Sequence, residues 1–359
     1  MTTELSCVQQ PLSTGTLTFK NRIFMPAMAT YVSSPEGETS DELLAHYEAR
    51  VAGGNLSLVV TEHMFVHPRG RAKANQVSIA NDGMTAGLTR LATHCKMGDT
   101  LAFAQISHAG AAAFRRIIGE EPWSASAISM GSLAKGLDGL GLGDTEPAHA
   151  VSDTEIAEIK EQFVAAAKRV KAAGFDGVEL HSAHGYLLNQ FYSPLTNHRT
   201  DAYGGSLEGR LRLLLEIIAD VKAAVGQDYP VAVRLGGSDY LEGGSTIGDA
   251  VQASVLLEAA GICFIDLSGG LCRFTRPGHN EPGYFKDMSA AVKRAVSIPV
   301  LVAGGVTHIE QAQDLLEEEA ADVIGIGRAL LKNPNWANEA FFCLIEASTS
   351  HELLLALER

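Results

Sequence analysis

Short continuous apolar runs alternate along the chain with longer segments whose apolar residues recur every three or four positions. The runs occupy residues 23–25, 56–61, 101–106, 177–180, 231–235, 264–267, 300–302 and 323–326. Being continuous rather than alternating, they read as parallel strands covered on both faces. Between them, Ile156, Ile159, Phe163, Ala167 and Val170 fall on one helical face. Ser152-Asp153-Thr154-Glu155 precedes that helix as a capping box, and Ala173-Gly174 closes it. Thr39-Ser40-Asp41-Glu42 opens another helix that stops at Gly53-Gly54, and residues 211–221 and 250–259 read the same way. Eight strand–helix units predict a closed (β/α)8 TIM barrel, an α/β fold filling residues 1–359 as one domain. The rival is a doubly wound sheet, but no G-x-G-x-x-G turn follows the first strand. Residues 125–152 break the rhythm, with Gly131, Gly136, Gly139, Gly141 and Gly143 and little periodicity. A loop of that length after the third strand, on the face where barrels keep their active sites, predicts a lid-like insertion.

Composition narrows the options. Against 28 Lys and Arg stand 42 Asp and Glu, a formal net charge of −14, which repels a phosphate backbone and argues against nucleic-acid partners. No apolar run approaches the roughly 20 residues of a membrane span, and the N-terminus shows no basic stretch followed by an apolar one. A cytoplasmic protein is expected. Cys7, Cys95, Cys263, Cys272 and Cys343 are scattered with no C-x-x-C pair, which speaks against disulfides, zinc or a cysteine-ligated cluster.

In such a barrel the chemistry emerges at the C-terminal strand ends. The first strand leads into Pro26, Ala27, Met28 and Tyr31, the second into Glu62-His63, and the third carries Gln105 and His108. The fourth ends in His181-x-x-His184-x-Tyr186, the fifth in Arg234, the seventh in Gly304-Gly305 and the eighth in Gly327-Arg328. Paired glycines before helix N-termini let backbone N–H groups approach an anion, and Arg328 adds a two-pronged donor, so a phosphorylated ligand is expected there. Two imidazoles three residues apart are too few for a metal site without a third ligand. They suit a clamp on one developing oxyanion, with Tyr186 as an acid. Arg234 is either aimed at an anion or electron-rich ring, or buried in an ion pair with Glu179 or Asp266, and spacing leaves both open. Gln105 reads equally as a partner for a heterocycle edge or for nearby backbone. His108 is expected to pack rather than react.

The stretch His181-Ser-Ala-His-Gly-Tyr-Leu-Leu-Asn-Gln-Phe191, followed by Ser193-Pro-Leu-Thr-Asn-His-Arg-Thr-Asp-Ala-Tyr-Gly-Gly-Ser206 and Arg210, resembles the Old Yellow Enzyme family of FMN-dependent ene-reductases. Asn21-Arg22-Ile23, Met28, Tyr47, Gln105, His108-Ala-Gly110, Arg234 and Gly325-Ile-Gly-Arg328 extend the likeness over nearly the whole chain. The resemblance implies FMN across the barrel mouth, its phosphate on Gly304, Gly305, Gly327 and Arg328. Gln105 and Arg234 would meet the pyrimidine end of the ring, and Pro26, Ala27, Met28 and His63 would flank it. His181 and His184 would hold the carbonyl oxygen of a small activated alkene, Tyr186 would protonate it, and Tyr31 would lie on the substrate side. NADH or NADPH would be the reductant in a ping-pong cycle.

The chain also departs from that pattern. Ala29 stands where many relatives carry Cys or Thr, Ala111 where Arg is common, and His63 where a small residue is usual. The stretch after Arg328 holds only Cys343, so electrons are expected to arrive as hydride rather than through an iron–sulfur relay. The small bacterial branch often completes its pocket with an Arg from a neighbouring subunit, which makes a homo-oligomer an expectation and Arg359 a candidate. Two other readings stand beside the reductase. One is an FMN-dependent dehydrogenase or demethylase with an aromatic cage for ammonium. The other is a barrel that binds flavin without turnover, or a phosphate-binding aldolase.

Overall fold

The computed structural model describes residues 6–133 and 147–344. Eight parallel strands close into a barrel: β1 (Ile23–Met25), β2 (Leu58–Val60), β3 (Leu101–Ser107), β4 (Gly177–Ser182), β5 (Val231–Ser238), β6 (Ile265–Gly269), β7 (Val300–Ala303) and β8 (Val323–Gly325). The ring shuts where β8 pairs β1, with Ile324 opposite Ile23. All eight coincide with the apolar runs, because a strand buried on both faces needs apolar residues at every position. A helix follows each strand: α1 (Asp41–Val51), α2 (Thr85–Cys95), α3 (Asp153–Ala172), α4 (Leu207–Val225), α5 (Ile247–Ala259), α6 (Lys286–Lys293), α7 (Ile309–Glu317) and α8 (Arg328–Lys332). The caps read from sequence are made. The Ser40 side chain accepts from the Leu43 N–H, and Ser152 and Glu155 form a reciprocal capping box.

Inside the barrel the lower inward positions are apolar. Phe24, Leu58, Val60, Phe103, Ala232, Phe264, Leu301 and Val323 pack into one buried cluster. Leu17 and Phe19 join it from below, on a hairpin (Leu12–Thr14 paired with Leu17–Phe19) that periodicity alone did not indicate. One step further along the same strands the inward residues turn polar, as Gln105, Glu179, His181, Arg234, Asp266 and Ser268, all buried. Paying for burial of so many polar groups makes sense only at a site. Among the described residues no helix is long and apolar enough to cross a membrane.

The insertion after β3 is fastened at its roots. Trp123–Ser124 pairs with His149–Ala150, and the Trp123 ring stacks parallel to the rings of His67 and His108, at 6.4 and 6.0 Å. His108 thus packs, as expected. The middle of the sequence-predicted lid, residues 134–146, lies outside the described residues, as does Arg359.

Candidate active site

The C-terminal strand ends open into a cavity of ≈ 910 Å³, a size that accepts a cofactor with a small ligand. Most of the candidate residues read from the sequence line it, whereas Glu62 and His108 do not. Pro26, Ala27, Met28 and Tyr31 enter from the loop after β1, His63 from β2 and Gln105 from β3. His181, His184 and Tyr186 enter from β4, Arg234 from β5, Gly304 and Gly305 from β7, and Gly327 and Arg328 from β8.

Strand register assembles the polar floor. Gln105 lies opposite Glu179, and Arg234 lies opposite both His181 and Asp266; paired residues on parallel strands point the same way. Gln105 Nε2 donates to Glu179 Oε2 at 2.6 Å. Arg234 Nη1 donates to the Ala27 carbonyl at 3.0 Å, and its Nε stands 3.2 Å from Asp266 Oδ2. That last contact is a close ion pair but is not aligned as a hydrogen bond, since both atoms lack a hydrogen-bond partner. Arg234 therefore pairs with Asp266, one of the two carboxylates the sequence reading offered, and also lines the cavity. Burial raises both carboxyls, Glu179 further through repulsion from Asp266, while Arg234 opposes the rise in each.

The two histidines meet edge to face, ring centroids 5.0 Å apart, and the Tyr186 ring lies 5.1 Å from His181. His63 completes the cluster, 6.0 Å from His181 and 5.2 Å from Tyr186. It is fixed from behind by Gln76 Nε2 at 2.8 Å and Ser107 Oγ at 3.2 Å from its Nδ1. His184 is turned by a left-handed backbone (φ 61°), followed by Gly185 at φ 73°, and its Nε2 lies 2.8 Å from Ser268 Oγ. Burial, then neighbouring His63 and Arg234, push His181 well below its ordinary value. Burial, Arg234 and His181 do the same to His184. His63 falls to about 4, chiefly by burial. All three imidazoles are therefore neutral near pH 7. Burial pushes the Tyr186 hydroxyl up, keeping it protonated.

The rest of the long motif after β4 is scaffold, a role sequence reading left unassigned. Gln190 Nε2 donates to the carbonyls of Ala109 and Gly185, and its Oε1 accepts from Ala111 N and Ser124 Oγ. One buried amide thus ties the β3 loop, the β4 loop and a root of the insertion. Arg199 Nη1 donates to the carbonyls of Ala125 and Val151, stapling both roots of the insertion together. Glu62 accepts from Thr30 N at 2.5 Å and so holds the β1 loop. Sequence reading also missed Arg273, Phe274 and Tyr284, which line the cavity from irregular segments with no periodic signal, and Trp336, which opens a further helix.

A family model described as the NADH:flavin oxidoreductase / NADH oxidase family matches residues 8–341. The chain belongs to this family. It is 37% identical over 326 residues to an NADPH dehydrogenase of Halalkalibacterium halodurans, covering 90% of each. It is 37% identical over 332 residues to an NADH oxidase of Thermoanaerobacter brockii, where it spans 91% of itself but only 49% of that protein. An old yellow enzyme homologue from Zymomonas mobilis superposes with a TM-score of 0.79 at 26% identity, over 93% of this chain and 92% of that one.

The cavity of this family member fits FMN. Among the described residues the backbone N–H groups of Gly305, Gly327 and Arg328 meet no protein acceptor, which is the free-donor cradle a phosphate requires. A Cβ at Gly327 would stand 3.4 Å from Met28 Sδ, inside the cavity, and one at Gly304 would press the Tyr284 ring at 2.9 Å. Arg328 Nη2 reaches Tyr284 Oη at 3.5 Å and lines the same end. Among the described residues no Asp or Glu lines the cavity, while Arg234, Arg273, Arg328 and Lys332 do.

Proposed function

We propose that this protein is a cytoplasmic FMN-dependent oxidoreductase that uses NADH or NADPH to reduce the C=C bond of small α,β-unsaturated carbonyl compounds and similarly activated alkenes. FMN, when bound, supplies the hydride. Gly304, Gly305, Gly327 and Arg328 would hold its phosphate, Gln105 and Arg234 the pyrimidine edge, and Pro26, Ala27, Met28 and His63 would flank the ring. The observation that carries the reading is the pair of imidazoles, His181 buried and His184 half-buried, packed edge to face beside Tyr186, in a cavity whose other end is an anion cradle.

His181 and His184 each offer an N–H to a substrate carbonyl oxygen and stabilise the negative charge that grows there. A donor of this kind contributes about 2.7–4 kcal/mol to the barrier. Being neutral, they donate without surrendering a proton, which leaves protonation of the α-carbon to Tyr186. Tyr31 closes the substrate side. The cationic lining opposes the alternative of a demethylase acting on an ammonium group, and the complete histidine–tyrosine set opposes a barrel without turnover.

The test is anaerobic reduction of the FMN-loaded protein by each nicotinamide, followed by mixing with enones, nitroalkenes and dienoyl thioesters. Rapid reoxidation by at least one class is expected. Reoxidation by none of them faster than buffer sinks the assignment.

A further inference from the structure

Three of the four cations on the cavity wall have an evident occupation. Arg234 pairs with Asp266, Arg328 stands at the glycine cradle, and Lys332 closes the short helix that Arg328 opens. Arg273 has none. It follows β6 in a left-handed conformation (φ 60°), with its N–H closing a turn on the Gly270 carbonyl at 2.9 Å. Its guanidinium lines the cavity, its Nε is shielded from solvent without a hydrogen-bond partner, and among the described residues no carboxylate forms an ion pair with it. In a chain of net charge −14, a half-buried arginine without an acidic partner is an unusual arrangement, one that burial alone opposes.

Its position is equally specific. Its charge acts on Tyr31, His63, His184 and Tyr186, which puts it among the groups at the histidine end of the cavity. Phe274, next in the chain, meets His184 edge to face at 6.2 Å. A ligand whose carbonyl oxygen lies between His181 and His184 therefore has a guanidinium fork beside it, and that fork matches a carboxylate.

The geometry points to Arg273 as a specificity residue that takes a carboxylate, so that preferred substrates are activated alkenes carrying an anionic group besides the carbonyl held by the histidines. This rests on the reductase reading. The rival source of the anion is a phosphate of the nicotinamide, and the experiment separates the two.

FMN-loaded parent, Arg273→Gln and Arg273→Lys proteins are assayed with trans-4-oxo-2-pentenoate and its methyl ester, which differ in charge at nearly constant shape. The acid-to-ester ratio of kcat/KM is expected to fall 10- to 100-fold in Arg273→Gln and to recover in part in Arg273→Lys. Each readout is a ratio within one preparation, so partial misfolding cancels, and Arg273→Met replaces the Gln variant if that one does not fold. A ratio within twofold of the parent overturns the proposal while leaving the reductase reading intact. A parent that turns over neither compound gives no ratio to compare and leaves the reductase reading to the wider panel of alkenes. Calorimetric titration with 4-hydroxybenzoate and its methyl ester then decides alone: a preference for the acid that Arg273→Gln abolishes supports the proposal, and equal affinities overturn it. A change only in the NADPH-to-NADH ratio of flavin reduction, with both acid-to-ester ratios unmoved, also overturns it by assigning the anion to the nicotinamide.

Discussion

Replacing His181 by Ala tests the oxyanion clamp most directly. Phenols mimic the charge that develops on a substrate oxygen, and in the FMN-loaded protein they would sit between His181 and His184. His181 Nδ1 is buried with no protein partner, whereas His184 Nε2 is already engaged by Ser268 at 2.8 Å. Deleting His181 thus leaves one donor out of two. A hydrogen bond to a charged oxygen is worth about 1.5–3 kcal/mol, and each 1.4 kcal/mol is tenfold in affinity. The expected loss of phenol affinity is therefore about 10- to 150-fold, measured by calorimetry, with His181→Asn intermediate because it keeps a donor. A second arm uses pH. Both imidazoles are driven below their ordinary value by burial and neighbouring cationic or imidazole groups, so they stay neutral from pH 6 to 9. Affinity over that range should follow the phenol's own ionisation. Equal affinity in variant and parent, or an inflection near pH 6.5 that vanishes with His181, refutes the argument.

Tyr186→Phe should leave flavin reduction by the nicotinamide fast while slowing turnover of weakly activated enones about 100-fold, the scale of a general acid; stopped-flow of the two half-reactions separates these, and equal slowing of both would contradict the assignment. His108→Gln isolates one buried imidazole. Burial holds His108 down at about 3, so the unfolded chain takes up a proton below pH 6.5 that the folded one refuses, and stability is lost as pH falls. Between pH 7 and pH 5 the variant should lose about 2 kcal/mol less than the parent in urea titrations, and an identical loss would show that His108 protonates freely. Gln190→Leu removes four buried hydrogen bonds at about 1 kcal/mol each; a drop of about 3–5 kcal/mol is expected in the same assay, and one under about 1 kcal/mol would deny the clamp.

The barrel was legible because a fully covered parallel strand writes itself as an unbroken apolar run, and the helix starts because Ser40 and Ser152 must satisfy free N–H groups. The hairpin at Leu12–Phe19 escaped because its two arms have three residues each, too few to establish alternation. Strand-end residues such as Gln105, His181 and Arg234 were placed from order alone. Which carboxylate Arg234 meets required the register that sets it opposite Asp266. Arg273 left no trace in the pattern, since it belongs to an irregular loop and its direction is set by a backbone angle that side-chain identity does not encode.

The staple at Arg199 has a consequence for how such a protein changes over time. Because one guanidinium grips the chain where the β3 insertion leaves the barrel and again where it returns, the geometry of entry and exit is independent of what lies between. Swapping that intervening stretch for another of different length or composition should leave the cylinder beneath unchanged in form. Insertions and deletions in that stretch are then tolerated without renegotiation of the strands that hold the site.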